Sequence, residues 1–239
     1  MTLTPASHDP APEAEVVDAF RELGVTAFTT GRAAGSFGTQ SDEPVRDVMA
    51  RWASLRSRLG AARLATAAQV HGDAILEHDG SWTGWLRGEA ADGHLAPHAG
   101  TAMAVTVADC VPVFLAHPSG ATAILHSGWR GTAAGITERA IARMQSLGFA
   151  AGDLRVHLGP SICARCYEVS ADVARRLTGR NPGRSVTVDL RELIARRALA
   201  LGITSISVSP FCTRCDNDRF FSHRAGDAGR QLAVIFVAG

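Results

Sequence analysis

Three side chains in this 239-residue chain stand where they could hold one metal ion: His71, Cys110 and His126. Each stands at the end of a short apolar run. His71 closes Ala67-Ala68-Gln69-Val70-His71-Gly72, and Cys110 follows Val105-Thr106-Val107-Ala108-Asp109. His126 ends Ala121-Thr122-Ala123-Ile124-Leu125 and opens into Ser127-Gly128-Trp129-Arg130-Gly131. One thiolate and two imidazoles make an open zinc site, with the fourth position left for water or substrate. Such a site belongs to a hydrolytic or group-transfer enzyme. The plainer readings are a small buried thiol and a satisfied core histidine. The charged Asp109 beside Cys110 weighs against a simple core role. Spacing alone leaves open whether the three residues meet.

The segment after His126 adds an anion clamp. Gly128 and Gly131 let the backbone approach a ligand closely. A helix beginning there would offer unpaired N–H groups, and Arg130 a planar guanidinium suited to phosphate. Four further cysteines stand in two CxxC pairs, Cys163/Cys166 and Cys212/Cys215. Paired CxxC knuckles suit a second, structural zinc with four thiolate ligands. The 45 residues between Cys166 and Cys212 are many for a zinc ribbon, so reduced core thiols and a redox pair stay open.

The elements that must position these groups alternate in type. Val45, Val48, Met49, Trp52, Leu55 and Leu59 recur at helical spacing, which predicts a helix over 43–59. The stripe Ile136, Ala140, Ile141, Met144, Leu147 predicts another after the Gly-Trp-Arg-Gly segment. Asp189 with Glu192 reads as a capping box for a third, followed by Leu190, Leu193, Ile194 and Leu201. Apolar β-type runs lie at 25–30, 64–70, 73–77, 102–108, 112–116, 121–126, 154–158, 204–208 and 231–237. Short connections from 64 to 126 favour antiparallel or mixed pairing. The expectation is an α/β (α+β) sandwich: a single domain over 16–239 with a mixed β-sheet covered by helices. Met1 to Glu15, polar and rich in Pro and Ala, reads as a disordered N-terminal tail, 1–15.

Composition sets limits. A net charge of +1 gives no reason to expect a nucleic-acid or membrane partner. All 24 basic residues are Arg, which rules out a P-loop lysine and Schiff-base catalysis through Lys. The start lacks a signal-peptide pattern. The most apolar stretch, 102–116, is broken by Asp109 and Pro112 and is too short to span a bilayer. A cytoplasmic protein with reduced cysteines is expected.

Several segments resemble the laccase-domain, or multicopper polyphenol oxidase-like, family, described as purine nucleoside phosphorylases with adenosine deaminase activity. They are Gln69-Val70-His71-Gly72, Ala108-Asp109-Cys110, His126-Ser127-Gly128-Trp129-Arg130-Gly131, Leu158-Gly159-Pro160-Ser161-Ile162, Tyr167-Glu168-Val169 and Phe220-Phe221-Ser222-His223-Arg224. The match runs from about Phe28 to Phe236. The resemblance implies zinc on His71, Cys110 and His126. It also implies purine nucleosides and phosphate as substrates, with Arg51, Arg130 and Gly128 on the substrate. Cys110, Asp109, Arg130 and Asp92 are the catalytic candidates, and Asp109 and Asp92 the acid/base ones among them. The front region departs from the family: Ala50 stands before Arg51 where Asn is common, and Ser36-Phe37 and Ser41-Asp42 replace an Asn-rich loop and Gly-Asp. Zinc at such a site lowers the pKa of bound water toward about 7, which would serve deamination.

Three rival readings remain. Cys110 as nucleophile with His126 or His71 as base would make a cysteine hydrolase, and the resemblance also implies, as an alternative, a Cys-dependent or metal-dependent hydrolase in peptidoglycan precursor editing. Copper in place of zinc, favoured by affinity order in vitro, would give a single-copper polyphenol oxidase. The nine histidines contain no His-x-His pair of the multicopper kind. A metal-stabilised interaction module built on the CxxC pairs is the non-enzymatic alternative.

Overall fold

The structure, a computed structural model, describes residues 14–40 and 43–239. The tail expected over 1–15 lies outside the described residues except for Ala14 and Glu15, and Glu15 begins the first strand. Ser41-Asp42 lies outside them too.

The strands, in chain order, are β1 (Glu15–Val16), β2 (Val25–Thr29), β3 (Arg63–Ala67), β4 (Ile75–Glu77), β5 (Gly84–Gly88), β6 (Gly93–Ala96) and β7 (Thr101–Val107). Then come β8 (Val111–Ala116), β9 (Thr122–Ser127), β10 (Arg155–Leu158), β11 (Glu168–Val169), β12 (Val186–Thr187), β13 (Ser205–Val208) and β14 (Gln231–Val237). The helices are α1 (Val45–Leu59), α2 (Trp129–Ala134), α3 (Ile136–Ser146), α4 (Ala171–Thr178) and α5 (Leu190–Ala200).

Two six-stranded mixed sheets form, where the sequence predicts one. The first is ordered β1-β2-β14-β7-β3-β5 and the second β13-β10-β8-β9-β6-β4. Strand β3 runs parallel to β5 and β7, and β14 antiparallel to β2 and β7. In the second sheet β8 pairs antiparallel with β9 and β10.

Side-chain alternation builds four layers. On β14, Leu232, Val234 and Phe236 pack outward with Val48, Trp52, Leu55 and Leu59 of α1. Ala233 and Ile235 point the other way, against Phe114 and Ile124 of the second sheet. The outer face of that sheet, with Val113, Leu115 and Leu125, is covered by Ile136 and Ile141 of α3 and Ile194 of α5. Strands covered on both faces read as continuous apolar runs, which is why β7, β8, β9 and β14 are evident in the sequence.

The helix expected from the Ile136–Leu147 stripe forms as α3, and a separate short helix, α2, precedes it. Gly135, with φ +80°, separates them, since a left-handed residue ends an α-helix. Asp189 caps α5 by accepting from the Glu192 N–H at 3.1 Å. Among the described residues no helix is long and apolar enough to cross a membrane.

Candidate metal centre

One end of the sandwich gathers the chemistry. His71 arrives on the loop after β3 of the first sheet, and His126 sits in β9 of the second. Cys110 lies in the three-residue link Ala108-Asp109-Cys110, by which the chain passes from β7 in one sheet to β8 in the other. So short a crossing needs a sharp turn, and Asp109 supplies it with φ +79°. Asp is among the few residues that tolerate this region.

The three predicted ligands meet. One ligand atom from each of His71, Cys110 and His126 lies within 4.8 Å of the others. The two imidazole rings stand edge to face with centroids 4.8 Å apart. His126 is buried, Cys110 half-buried and His71 exposed, so the cluster opens toward solvent on the His71 side. Two nitrogens and a thiolate form a donor set that suits zinc or copper far better than magnesium or calcium.

Asp92, fully buried, orients two of the ligands. Its carboxylate accepts from His126 Nδ1 at 2.7 Å, which leaves Nε2 for the centre. It also accepts from the backbone N–H groups of Val70 at 3.1 Å, His71 at 3.0 Å and Gly72 at 2.7 Å. These three bonds hold the loop that gives His71 its φ of +61°. Burial pushes the Asp92 carboxyl up, but the His126 and Gly72 hydrogen bonds outweigh it and keep the group below the usual carboxylate range.

Burial likewise pushes the Cys110 thiol up, yet His126 and His71 bring it down to about 6. Burial pushes His126 down, while Cys110 and Asp92 raise it to about 9. Both shifts favour the thiolate of Cys110 and the imidazolium of His126.

Asp109 is buried, and its side chain faces inward. One carboxylate oxygen accepts from Thr213 Oγ1 at 2.6 Å and the other from the Arg224 N–H at 2.7 Å. Its carbonyl accepts from the Ile162 N–H at 3.0 Å. Three segments distant in sequence thus converge behind Cys110.

Gly128 touches the centre from behind: a Cβ there would stand 2.7 Å from Cys110 Sγ. A Cβ on Gly131 would stand 3.0 Å from the Gly72 carbonyl, so α2 packs against the His71 loop. Arg130 is exposed, its guanidinium carbon 4.8 Å from the centre of the Trp129 ring. Among the described residues it has no carboxylate partner. Arg51 behaves differently. Its Nε donates to the Ser36 carbonyl at 2.8 Å and it pairs with Glu43. Its contacts reach Ser36 and Glu43, and among the described residues none is with a residue of the cluster.

Tyr167 and Arg224 carry no role in the sequence reading, though both lie in segments that support the resemblance. Arg224 stacks on Tyr167 with 5.1 Å from guanidinium to ring centre. Burial first, and then the negative charge of Cys110, push the Tyr167 phenol up to about 12, against the pull of Arg224 and Arg130. Thr213 lies hidden within the second CxxC pair.

A pocket of about 270 Å³ opens where Phe37, Met49, Trp52 and Trp85 face Gln69 and Thr106. Gln69 stands two residues before His71 and is tied to Thr106 by three hydrogen bonds of 2.8–2.9 Å. None of the three ligand residues lines this pocket.

The two CxxC pairs meet as well. The Sγ atoms of Cys163, Cys166, Cys212 and Cys215 all lie within 4.8 Å of one another. The three-His/Cys centre and this one are separate groups.

Residues 20–238 match the family model described as multi-copper polyphenol oxidoreductase laccase. A Mycobacterium tuberculosis protein named purine nucleoside phosphorylase is 35% identical over 232 residues, covering 89% of this chain and 92% of its own. One from Pseudomonas aeruginosa is 33% identical over 216 residues, covering 84% and 85%. The crystal structure of YlmD from Geobacillus stearothermophilus superposes with a TM-score of 0.84 at 29% identity, covering 90% of this chain and 93% of that one.

Proposed function

The chain belongs to the multi-copper polyphenol oxidoreductase laccase family, and from that premise we propose that it is a zinc-dependent purine nucleoside phosphorylase that also deaminates adenosine. The observation that carries this reading is the convergence of His71, Cys110 and His126, with Asp92 fixing the His126 tautomer. Relatives named purine nucleoside phosphorylase support the substrate class. A zinc ion held by these three residues would supply Lewis acidity at its open position.

In phosphorolysis a phosphate oxygen bonds to C1′ of the ribose as the C1′–N9 bond breaks. The electron pair leaves with the purine, which must gain a proton. Arg130, exposed and without a carboxylate partner among the described residues, holds the phosphate through two N–H donors. Tyr167, with its phenol pushed up to about 12, keeps its proton at neutral pH and serves as a hydrogen-bond donor beside the centre. Asp109 and Asp92 are positioning residues in this scheme. Both oxygens of each already accept hydrogen bonds, so neither is placed to deliver a proton. Gly128 holds Cys110 in place by its lack of a side chain, and Arg51 supports the front loop.

A second reading draws on the low-pKa thiol of Cys110 beside His126, an arrangement that would also suit a cysteine nucleophile. Chelation separates the two, because a thiol hydrolase keeps its activity when the metal is removed.

The test is chromatography of adenosine incubated with zinc-loaded protein, with and without phosphate. Free adenine that appears only with phosphate supports phosphorolysis, and inosine supports deamination. Unchanged adenosine in every arm overturns the reading. Cys110→Ala should abolish turnover, and full activity in that variant would sink the model.

A further inference from the structure

Neither the phosphorolysis reading nor its rival uses Cys163, Cys166, Cys212 or Cys215. Cys163 precedes the short helical turn Ala164–Cys166, which Cys166 ends. Cys212 and Cys215 lie in the turn that leads to Asp216. In a tetrahedral zinc–thiolate site, bonds of about 2.3 Å set sulfur–sulfur separations near 3.8 Å. Here Cys166 Sγ and Cys215 Sγ are 3.5 Å apart, and all four sulfurs fall within 4.8 Å.

We propose that these four cysteines hold a second, structural zinc ion, and that it braces the metal centre from behind. Three observations support it. The sulfur cluster sits at the edge of the core and reaches the surface: Cys212 is buried in it, Cys163 and Cys166 are half-buried against it and Cys215 is exposed. It opens into a surface depression lined by Cys163, Cys212, Cys215 and Asp216, which gives an ion a way in. The backbone N–H groups of Cys163 and Cys215 point at Cys212 Sγ, at 3.3 and 3.4 Å. Amide donors of this kind stabilise a ligating thiolate.

The bracing follows from what neighbours the cysteines. Ile162, beside Cys163, donates its N–H to the Asp109 carbonyl. Thr213, beside Cys212, donates its hydroxyl to the Asp109 carboxylate. The two segments also join directly, by the Thr213 N–H to the Ser161 carbonyl at 3.2 Å. A zinc ion that clamps 163–166 to 212–215 therefore fixes two of the three segments that hold Asp109, the residue before Cys110. It closes a gap of 45 residues, so its removal frees a long segment.

The inference goes beyond the choice of substrate, and its test does not depend on nucleoside turnover. Purified protein should contain two zinc ions per chain. Cobalt substitution of the Cys110→Ala variant, which keeps only the four CxxC thiols, should give the intense sulfur-to-cobalt charge-transfer absorption of a four-thiolate site. The Cys166→Ser/Cys215→Ser variant should keep one zinc, melt at lower temperature and bind that zinc about tenfold more weakly. Cys110→Ala protein that holds no zinc and gives no cobalt band would overturn the second site, whatever the first centre binds. Unchanged affinity of the first centre in the double serine variant would overturn the bracing role.

Discussion

Asp92 and Gly128 show how single residues shape the His71–Cys110–His126 cluster from behind. Asp92 gathers four N–H groups and faces no solvent. In Asp92→Asn the amide nitrogen must confront one of those donors. Zinc affinity should fall about 10- to 100-fold, measured by competition with a chromophoric chelator; a change under twofold would remove Asp92 from its positioning role. Gly128→Ala places a methyl group 2.7 Å from Cys110 Sγ. We expect loss of bound zinc with the circular-dichroism spectrum unchanged, and retention of the metal would show that the loop yields. The members of the His71–Cys110–His126 cluster are legible in the sequence because each stands where an apolar run stops. Thr213, Tyr167 and Arg224 are not. They reach Asp109 and Cys110 across 50 or more residues, and no local pattern records such a contact.

At the scale of elements, the legible parts are those buried on both sides. Strands β8 and β9 are buried throughout, so β8 and the Ala123–Leu125 centre of β9 are apolar. Strand β5 carries Arg87 and two glycines at a sheet edge, and β6 begins with glycine and histidine; neither shows a strand signal. Helix α4 has only Ala174 and Leu177 buried in eight residues, too few for a visible stripe. The break between α2 and α3 rests on Gly135 and its φ of +80°. A Cβ there meets Glu138 only at ordinary contact distance, so the cost of Gly135→Ala is conformational, about 1–2 kcal/mol. Thermal denaturation should show a fall of about 2–8 °C at this chain length, with zinc content unchanged. An unaltered Tm would mean the helices can merge.

The whole molecule carries buried histidines that titrate together with folding. Burial pushes His157, beside Phe114, down to about 4. Burial and the neighbouring His78 push His94 down to about 3. Both are neutral in the folded chain but take up protons below about 6.5 once unfolded. The unfolded state thus binds more protons, and stability falls as pH drops from about 6.5 toward 4. Urea midpoints should decline across that window, and less steeply in His157→Gln. An identical slope in the variant would acquit His157.

Strand β14 has a consequence for synthesis. It lies inside the first sheet, between β2 and β7, with Val237 opposite Val25. A ribosome adding about 5–20 residues per second reaches Val237 on the order of 10–40 s after Val25. Until then β2 and β7 each present an open hydrogen-bonding edge to their neighbours in the cell. The nascent chain is in this interval a natural client for chaperones that cover unpaired strands.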